Sequence, residues 1–509
     1  MQLSHKDFGR TWVSEAPGSG PLARPDIFYV PPEITAQIFR ACIPPKDLVN
    51  HSEEEISHTP MFSGVCKWTP FDLAQVCRDW RSIAFRTREL WQSIAIIGPK
   101  RCHLHRAIIW IDNVGHYPID IVLEQKSDSD EEREVIAELM SLFAVRVASW
   151  RLIAFTFFGP KPLTPSNLLV RCITTLAQEK NSILHHALFD FHPHPYDGAE
   201  EWEISSILEI FSALQKIPSL AALYWSAAFT PGLKFSRNLV HLDLDSPISI
   251  EDLIENVVRS PHLQYLYARN VTSTIVPIHN AFMRQDDDMD VDMENIPRVA
   301  LPALLHLSIA FNQVDPAPFL DRLALPSLTF LELVGVNPED LYVVRQLLQV
   351  SQCQLGAFLV DLSTPAPEAD IMDWLQMEEL QCVERLDIHA DVTNDIVKML
   401  HRPALHGPKA ATGETYFPEL KDLTLTLRIA GIDDRDLLRT LGSRFWTPFN
   451  EPGWQKELKT ATVFLSPEDL TPRLKVYERM FRQGVELNQD GWRNYDSRKL
   501  EFLQLSELM

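Results

Sequence analysis

Leu239-Val240-His241-Leu242-Asp243-Leu244 decides how this chain folds. Leu239, Leu242 and Leu244 are apolar, and His241 and Asp243 alternate with the last two. A period of two marks a β-strand with one buried face. The same spacing, apolar at i, i+3 and i+5, returns at Leu263, Leu266 and Ala268, at Leu304, Leu307 and Ile309, and at Leu328, Leu331 and Leu333. Later copies are Leu355, Phe358 and Val360, then Val383, Leu386 and Ile388, then Leu420, Leu423 and Leu425. Weaker copies open at Leu152, Leu184, Leu220 and Leu458. The repeat is therefore expected from about residue 150 onward.

Helical patterns lie between these strands. Ile204, Ile207, Leu208, Phe211 and Leu214 form the stripe of a half-buried helix. Ser249, three residues before Asp252, opens Leu253, Ile254 and Val257 as a capping box. Asn337-Pro338-Glu339-Asp340 sets a cap residue, an N1 proline and an acidic first turn ahead of Leu341, Val344 and Leu348. Ser466-Pro467-Glu468-Asp469 repeats that arrangement near the C-terminus. Strand and helix alternating at a short period must stack on their neighbours to bury their apolar faces, which predicts a solenoid. Successive repeats are spaced irregularly, and some intervals fall within the roughly 20–29 residues of leucine-rich repeats. The expected fold class is α/β: an all-α N-terminal module, then an irregular leucine-rich-repeat solenoid of parallel strands and helices.

Alternation points i+2 and i+4 of each strand away from the solenoid core. That nominates His241, Asp243, Tyr265, Tyr267, His306, Ser308, Phe330, Glu332, Arg385, Asp387, Asp422 and Thr424 as an exposed concave surface for a target protein.

At 509 residues the chain is too long for one ordinary core unless the fold grows by repetition. A net charge of −22 argues against nucleic acid and against an anionic membrane surface. The first residues lack the apolar core of a signal peptide, and no apolar run approaches the roughly 18 residues of a membrane helix. Seven scattered cysteines form no CxxC pair, which favours a reducing compartment, cytoplasm or nucleus. The acidic runs Ser127–Glu134 and Asp286–Glu294 read as solvated surface loops.

Ahead of the repeats stands Val30-Pro31-Pro32-Glu33-Ile34, continuing to Ile38-Phe39. Pro31 and Pro32 are preset for a helix start, Ile34, Ile38 and Cys42 align, and Pro44-Pro45 stops the helix. Thr69-Pro70-Phe71-Asp72 caps a second helix whose stripe runs Leu73, Val76, Cys77, Trp80, Ile83 and Ala84 over about three turns. Thr87 can cap a short final turn presenting Leu90 and Trp91. So few short helices cannot enclose all these side chains, so a partner or the following repeats must cover part of the stripe.

This ordered set over about residues 28–97 resembles the F-box, closest to F-box-like proteins with divergent leucine-rich repeats that are abundant in mushroom-forming fungi. The resemblance implies that the helices dock a Skp-type adaptor, and through it a cullin–RING ubiquitin ligase. Pro31, Ile34, Ile38 and Phe39 would then enter the interface, and Leu73, Val76, Cys77, Trp80, Leu90 and Trp91 would be divided between interface and internal core. Arg78, Arg81, Arg86 and Arg88 give the region a local basic character suited to an acidic adaptor. The chain departs from the family in Val30, which replaces a leucine, and in a long segment, about 46–67, between its first two helices.

The implied organisation is a flexible leader over 1–24, an F-box-like module over 25–97, a repeat region over 98–470 with an acidic loop at about 284–296, and a helical cap over 471–509. No GxSxG, GxGxxG, Walker or HExxH motif is present. His185, His186, His192 and His194 lie among prolines without helical spacing and read as a surface loop, not a metal site. The expected protein is a non-catalytic substrate receptor of an SCF-type ligase, with no cofactor and no metal. The rival reading is a leucine-rich-repeat scaffold without a role in degradation.

Overall fold

The computed structural model describes residues 30–42, 69–127, 129–158, 166–192, 201–227, 238–272, 298–362, 367–390, 392–401, 416–427, 436–437, 440, 444, 460–465 and 499–504. The leader, the 46–67 segment, the acidic loop near 284–296 and the cap proposed at Ser466 lie outside the described residues. Two compact units divide at Trp91, not after residue 97.

The first unit contains α1 (Pro32–Cys42), α2 (Pro70–Val76), α3 (Arg78–Arg86) and a 3-10 turn at Arg88–Trp91. Thr69 starts α2: its hydroxyl accepts from the Asp72 N–H, and the Asp72 carboxylate accepts from the Thr69 N–H at 2.7 Å. The single helix expected from Leu73 through Ala84 is broken. Cys77 is extended (φ −156°, ψ 174°), closes α2 and opens α3, and its Sγ accepts from the Trp80 N–H at 3.4 Å. Arg81 Nε donates to the Ala74 carbonyl at 2.9 Å, satisfying one of the acceptors stranded by the break. Two short rods can fold back on each other, so Leu73, Ala74 and Ala84 are all buried. Trp91 closes this core: its Nε1 donates to the Ala84 carbonyl at 3.0 Å, and its ring meets Phe71 and Phe85 at 5.2 Å each.

The second unit is built on one parallel sheet, with strands in strict chain order: β1 (Ser93–Ile97), β2 (Ile119–Glu124), β3 (Trp150–Phe158), β4 (His186–His192), β5 (Ala222–Ser226), β6 (His241–Leu244), β8 (Tyr265–Thr272), β10 (His306–Phe311), β12 (Phe330–Val336), β13 (Ala357–Leu362), β14 (Arg385–Ala390), β15 (Asp422–Leu427), β16 (Thr460–Leu465) and β17 (Lys499–Gln504). The short β7 (Ile248–Ser249) adds to β8, while β9 (Val299–Ala300) and β11 (Leu323–Ala324) form a separate pair. Parallel neighbours need crossovers. Described ones are α4 (Arg101–Val114), α5 (Asp130–Ala144), α6 (Ser166–Gln178), α7 (Glu201–Leu214), α8 (Ile250–Arg259), α9 (Ala317–Leu320), α10 (Leu341–Ser351), α11 (Glu368–Leu375) and α12 (Asn394–Met399). The expected caps are in place: Ser249 accepts from the Asp252 N–H at 3.1 Å, and Asn337 and Asp340 form a capping box before α10.

From β4 to β16 each strand of the main sheet opens two residues after its leading apolar residue, as His186 follows Leu184 and Tyr265 follows Leu263. Leu152 instead lies inside β3. Leu220, Leu263, Leu304, Leu328 and Leu420 are buried at the end of a turn that the sequence also encodes. Pro218, Pro261, Pro302, Pro326 and Pro418 each stand two residues ahead, and the leucine N–H bonds the carbonyl three residues back, as Leu328 to Leu325 at 3.1 Å. Proline there presets the turn dihedral. The next N–H groups cross to the preceding repeat: Tyr265 to Val240 at 3.1 Å, His306 to Gln264 at 3.0 Å, Phe330 to Leu305 at 3.1 Å. Leu266, Leu307 and Leu331 fill the core in register, and Phe155, Phe189, Trp225 and Phe211 extend it as a chain of ring contacts.

Four expectations are corrected. The sheet begins at Ser93, far ahead of residue 150; β1 and β2 lack the leading leucine that stands two residues ahead of most main-sheet strands from β4 to β16. Ser127–Glu134 is not a surface loop but runs into the first turn of α5, where Asp130, Glu131 and Glu132 complement the helix dipole. Glu132 is buried, accepting from the Lys126 N–H at 2.8 Å and the Ser127 N–H at 3.0 Å. His186 and His192 belong to β4, not to a loop. Residues 499–504, expected within a helical cap, form β17 in parallel register with β16.

Candidate functional site

In the first unit, α1 carries two opposed faces. Thr35 and Phe39 point inward, and the Phe39 ring meets Trp80 at 4.9 Å. Val30, Ile34 and Ile38, four residues apart, point outward at 43%, 45% and 48% exposure, and Cys42 continues the stripe. Val76, at the end of α2, is 57% exposed. The residues nominated for docking therefore separate. Pro31, Ile34, Ile38, Val76 and Cys77 are accessible, and Trp80 is half-buried. Phe39, Leu73, Leu90 and Trp91 are buried, and the final turn does not present Leu90 and Trp91. Helical spacing could align Phe39 with Ile38 but could not say which side of α1 meets the other helices. Arg78, Arg86 and Arg88 are exposed, Arg81 is spent on the Ala74 carbonyl, and Arg40 pairs with Glu89 at 2.8 Å.

On the sheet, the side chains facing away from the core form three rows. Residues i+2 align across strands as His186, Ala222, His241, Tyr265, His306 and Phe330, then Ala357, Arg385 and Asp422. Residues i+4 align as Tyr224, Asp243, Tyr267, Ser308 and Glu332, with Asp387 and Thr424 farther along. Every nominated residue lies in these two rows. They are not all open: Asp243, Tyr267, His306, Phe330 and Asp387 are buried. Parallel strands lie about 4.8 Å apart, so equal positions stack into ladders that cover one another. His306 lies on Phe330 at 3.7 Å with planes 12° apart, Tyr267 meets His306 at 4.6 Å, and His241 stacks on Tyr265 and Tyr267 at 5.5 and 5.4 Å.

The third row, i+6, lies one alternation step beyond the nominated positions. It brings Asp190, Asp245 and Arg269 beside Tyr224 and Asp243. Arg269 grips Asp243 through two contacts, Nε to Oδ1 at 3.3 Å and Nη2 to Oδ2 at 3.2 Å. Burial opposes the Arg269 charge, but Asp243, Tyr224 and Asp245 hold its guanidinium above the ordinary range. Burial, joined by Asp190, Asp243 and Asp245, raises the Tyr224 phenol far above its usual value. Burial, with His306 and His186 as neighbours, lowers the His241 imidazole to about 4, so it is neutral at pH 7. Farther along, Ser308 donates to Glu332 at 2.6 Å and His389 lies 2.9 Å from Asp387.

Among the described residues no group of three or more His, Cys, Asp or Glu could hold a metal, and no helix is long and apolar enough to cross a membrane. No protein-family model matches the chain. No curated protein matches it either.

Proposed function

We propose that the chain is the substrate-receptor subunit of an SCF-type ubiquitin ligase. Its first helices act as an F-box-like dock for a Skp-type adaptor, and its sheet, read as an irregular leucine-rich-repeat solenoid, holds a target protein in the cytoplasm or nucleus. No residue of the chain is catalytic in this reading; ubiquitin transfer belongs to the other subunits.

The observation that carries the proposal is the outward stripe Val30, Ile34, Ile38 and Cys42, with Val76, on helices that already own a core in Phe39, Leu73, Ala84, Leu90 and Trp91. Apolar residues clustered on a small surface mark a protein interface.

The test is co-expression with a Skp-type adaptor followed by mild affinity purification. The adaptor should co-purify, and Ile34→Asp with Ile38→Asp should remove it while the thermal midpoint holds. Such interface anchors are worth about 2 kcal/mol or more. Leu73→Ala would be a poor probe, because Leu73 is buried and its loss weakens the unit itself. If the unmodified chain fails to retain the adaptor, the receptor reading falls. If the adaptor binds but captured proteins are never ubiquitinated in the reconstituted complex, the chain is a scaffold.

A further inference from the structure

We propose that Cys353 and Cys382 form a reversible thiol pair, which a disulfide oxidant such as glutathione disulfide converts into a covalent clip between two neighbouring repeats. This chemistry is independent of the receptor reading.

The two thiols occupy the turns that lead into consecutive strands. Cys353 follows α10 and stands four residues ahead of β13, and Cys382 stands three residues ahead of β14. Both are free thiols; Cys382 is exposed and Cys353 is half-buried. Their turns lie side by side, because the Glu384 and Arg385 N–H groups both donate to the Gly356 carbonyl, at 2.8 and 3.0 Å. The Cys382 thiol crosses the same boundary. Its Sγ donates to the Leu355 carbonyl, two residues from Cys353, at 3.5 Å, and lies 3.8 Å from the Glu379 carbonyl oxygen. Burial raises the Cys353 thiol above its ordinary value, and the neighbouring Cys382 and Glu379 add to the shift. Parallel chains about 4.8 Å apart and offset by one residue bring Cα atoms to roughly 6 Å, inside the usual 4.4–6.8 Å of a disulfide.

The difference in exposure divides the chemistry. Cys382, as thiolate, attacks one sulfur of the oxidant, and one glutathione leaves. The Cys353 thiolate then attacks the Cys382 sulfur of this mixed disulfide, forming the Cys353–Cys382 bond and releasing the second glutathione. The two protein thiols lose two electrons and two protons, and the two sulfurs of the oxidant take them up. In a reducing compartment the pair rests as two thiols and closes only under oxidant, the usual behaviour of intracellular disulfides. The closed loop contains β13 and α11, so the bond restrains the separation of two stacked repeats.

The experiment treats the folded full-length chain with glutathione disulfide, alkylates the remaining thiols and maps the products by mass spectrometry. No Lys or Arg lies between Arg345 and Arg385, so trypsin leaves both cysteines in one peptide, 346–385. That peptide should lose two hydrogens and take up no alkylating label. Cleavage at its glutamates should leave the two cysteine segments joined. Cys353→Ser should instead hold glutathione on Cys382, and Cys382→Ser should form no link. The oxidised chain should melt about 3 °C higher than the reduced one, a gain absent in Cys353→Ser.

Glutathione held on both cysteines, with no bond between them, would overturn the proposal. So would a link that forms only after unfolding in urea, which would report chance encounter in the unfolded chain.

Discussion

The two units of this chain solve the burial of apolar surface in opposite ways. In the sheet, each strand hands its apolar residues to the next repeat, and even the polar face is closed by ring ladders such as His306 on Phe330. In the N-terminal helices one face of α1 is used internally and the other is left over. Repetition lets a fold satisfy itself; a few short helices cannot. Surplus apolar surface is a structural consequence of size, and it becomes a functional statement because it is gathered into one stripe and not scattered.

The contrast can be broken at several strengths. The largest effect is expected at Trp225, fully buried and in contact with Phe189, Phe191 and Phe211. Trp225→Ala should cost about 3–5 kcal/mol, seen in urea unfolding. Next comes Gly335 (φ +75°), where an added Cβ would lie 2.1 Å from the Phe311 carbonyl oxygen. Gly335→Ala should cost on the order of 2–3 kcal/mol, as left-handed strain and overpacking combine. A wild-type melting curve from either variant would mean that the sheet is not closed as described.

Acidification should have a smaller effect. The His241 imidazole titrates lower in the folded chain than its ordinary value of 6.5. Between those values the unfolded chain binds the extra proton, so stability is full above about pH 6.5 and is lost as pH falls toward 4. His241→Phe should flatten that part of a plot of thermal midpoint against pH. The smallest effect is expected on α1: Ile34→Ser, at an exposed site, should change stability by less than about 0.5 kcal/mol. A large loss there would show that the stripe is packed, not presented.

Much of this was legible in the sequence. Residue patterns located the main-sheet strands from β4 to β16, since a leading apolar residue followed by alternation is a local signal. The caps Ser249, Asn337 and Thr69 likewise act within one turn of helix. The proline two residues ahead of the leading leucine was equally readable and marks the same turns. Other features left weaker traces. Ser127–Glu134 looks like a solvated run because charge alone cannot distinguish a loop from an acidic helix start, and Cys77 carries no breaker signature although it divides two helices.

The sequence by itself determined that this chain repeats, where the main-sheet strands from β4 to β16 begin and which residues alternate, because those are properties of neighbours along the backbone. Only the tertiary structure decided that Phe39 turns inward while Ile38 faces out, that Leu90 and Trp91 are core, and that Asp190, Tyr224, Asp243, Asp245 and Arg269 meet. The reason is distance along the chain. On the sheet those contacts join residues one or more repeats apart that parallel register brings within reach, and in the first unit helix packing joins Phe39 to Trp80 and Trp91 to Ala84 across the breaks between helices.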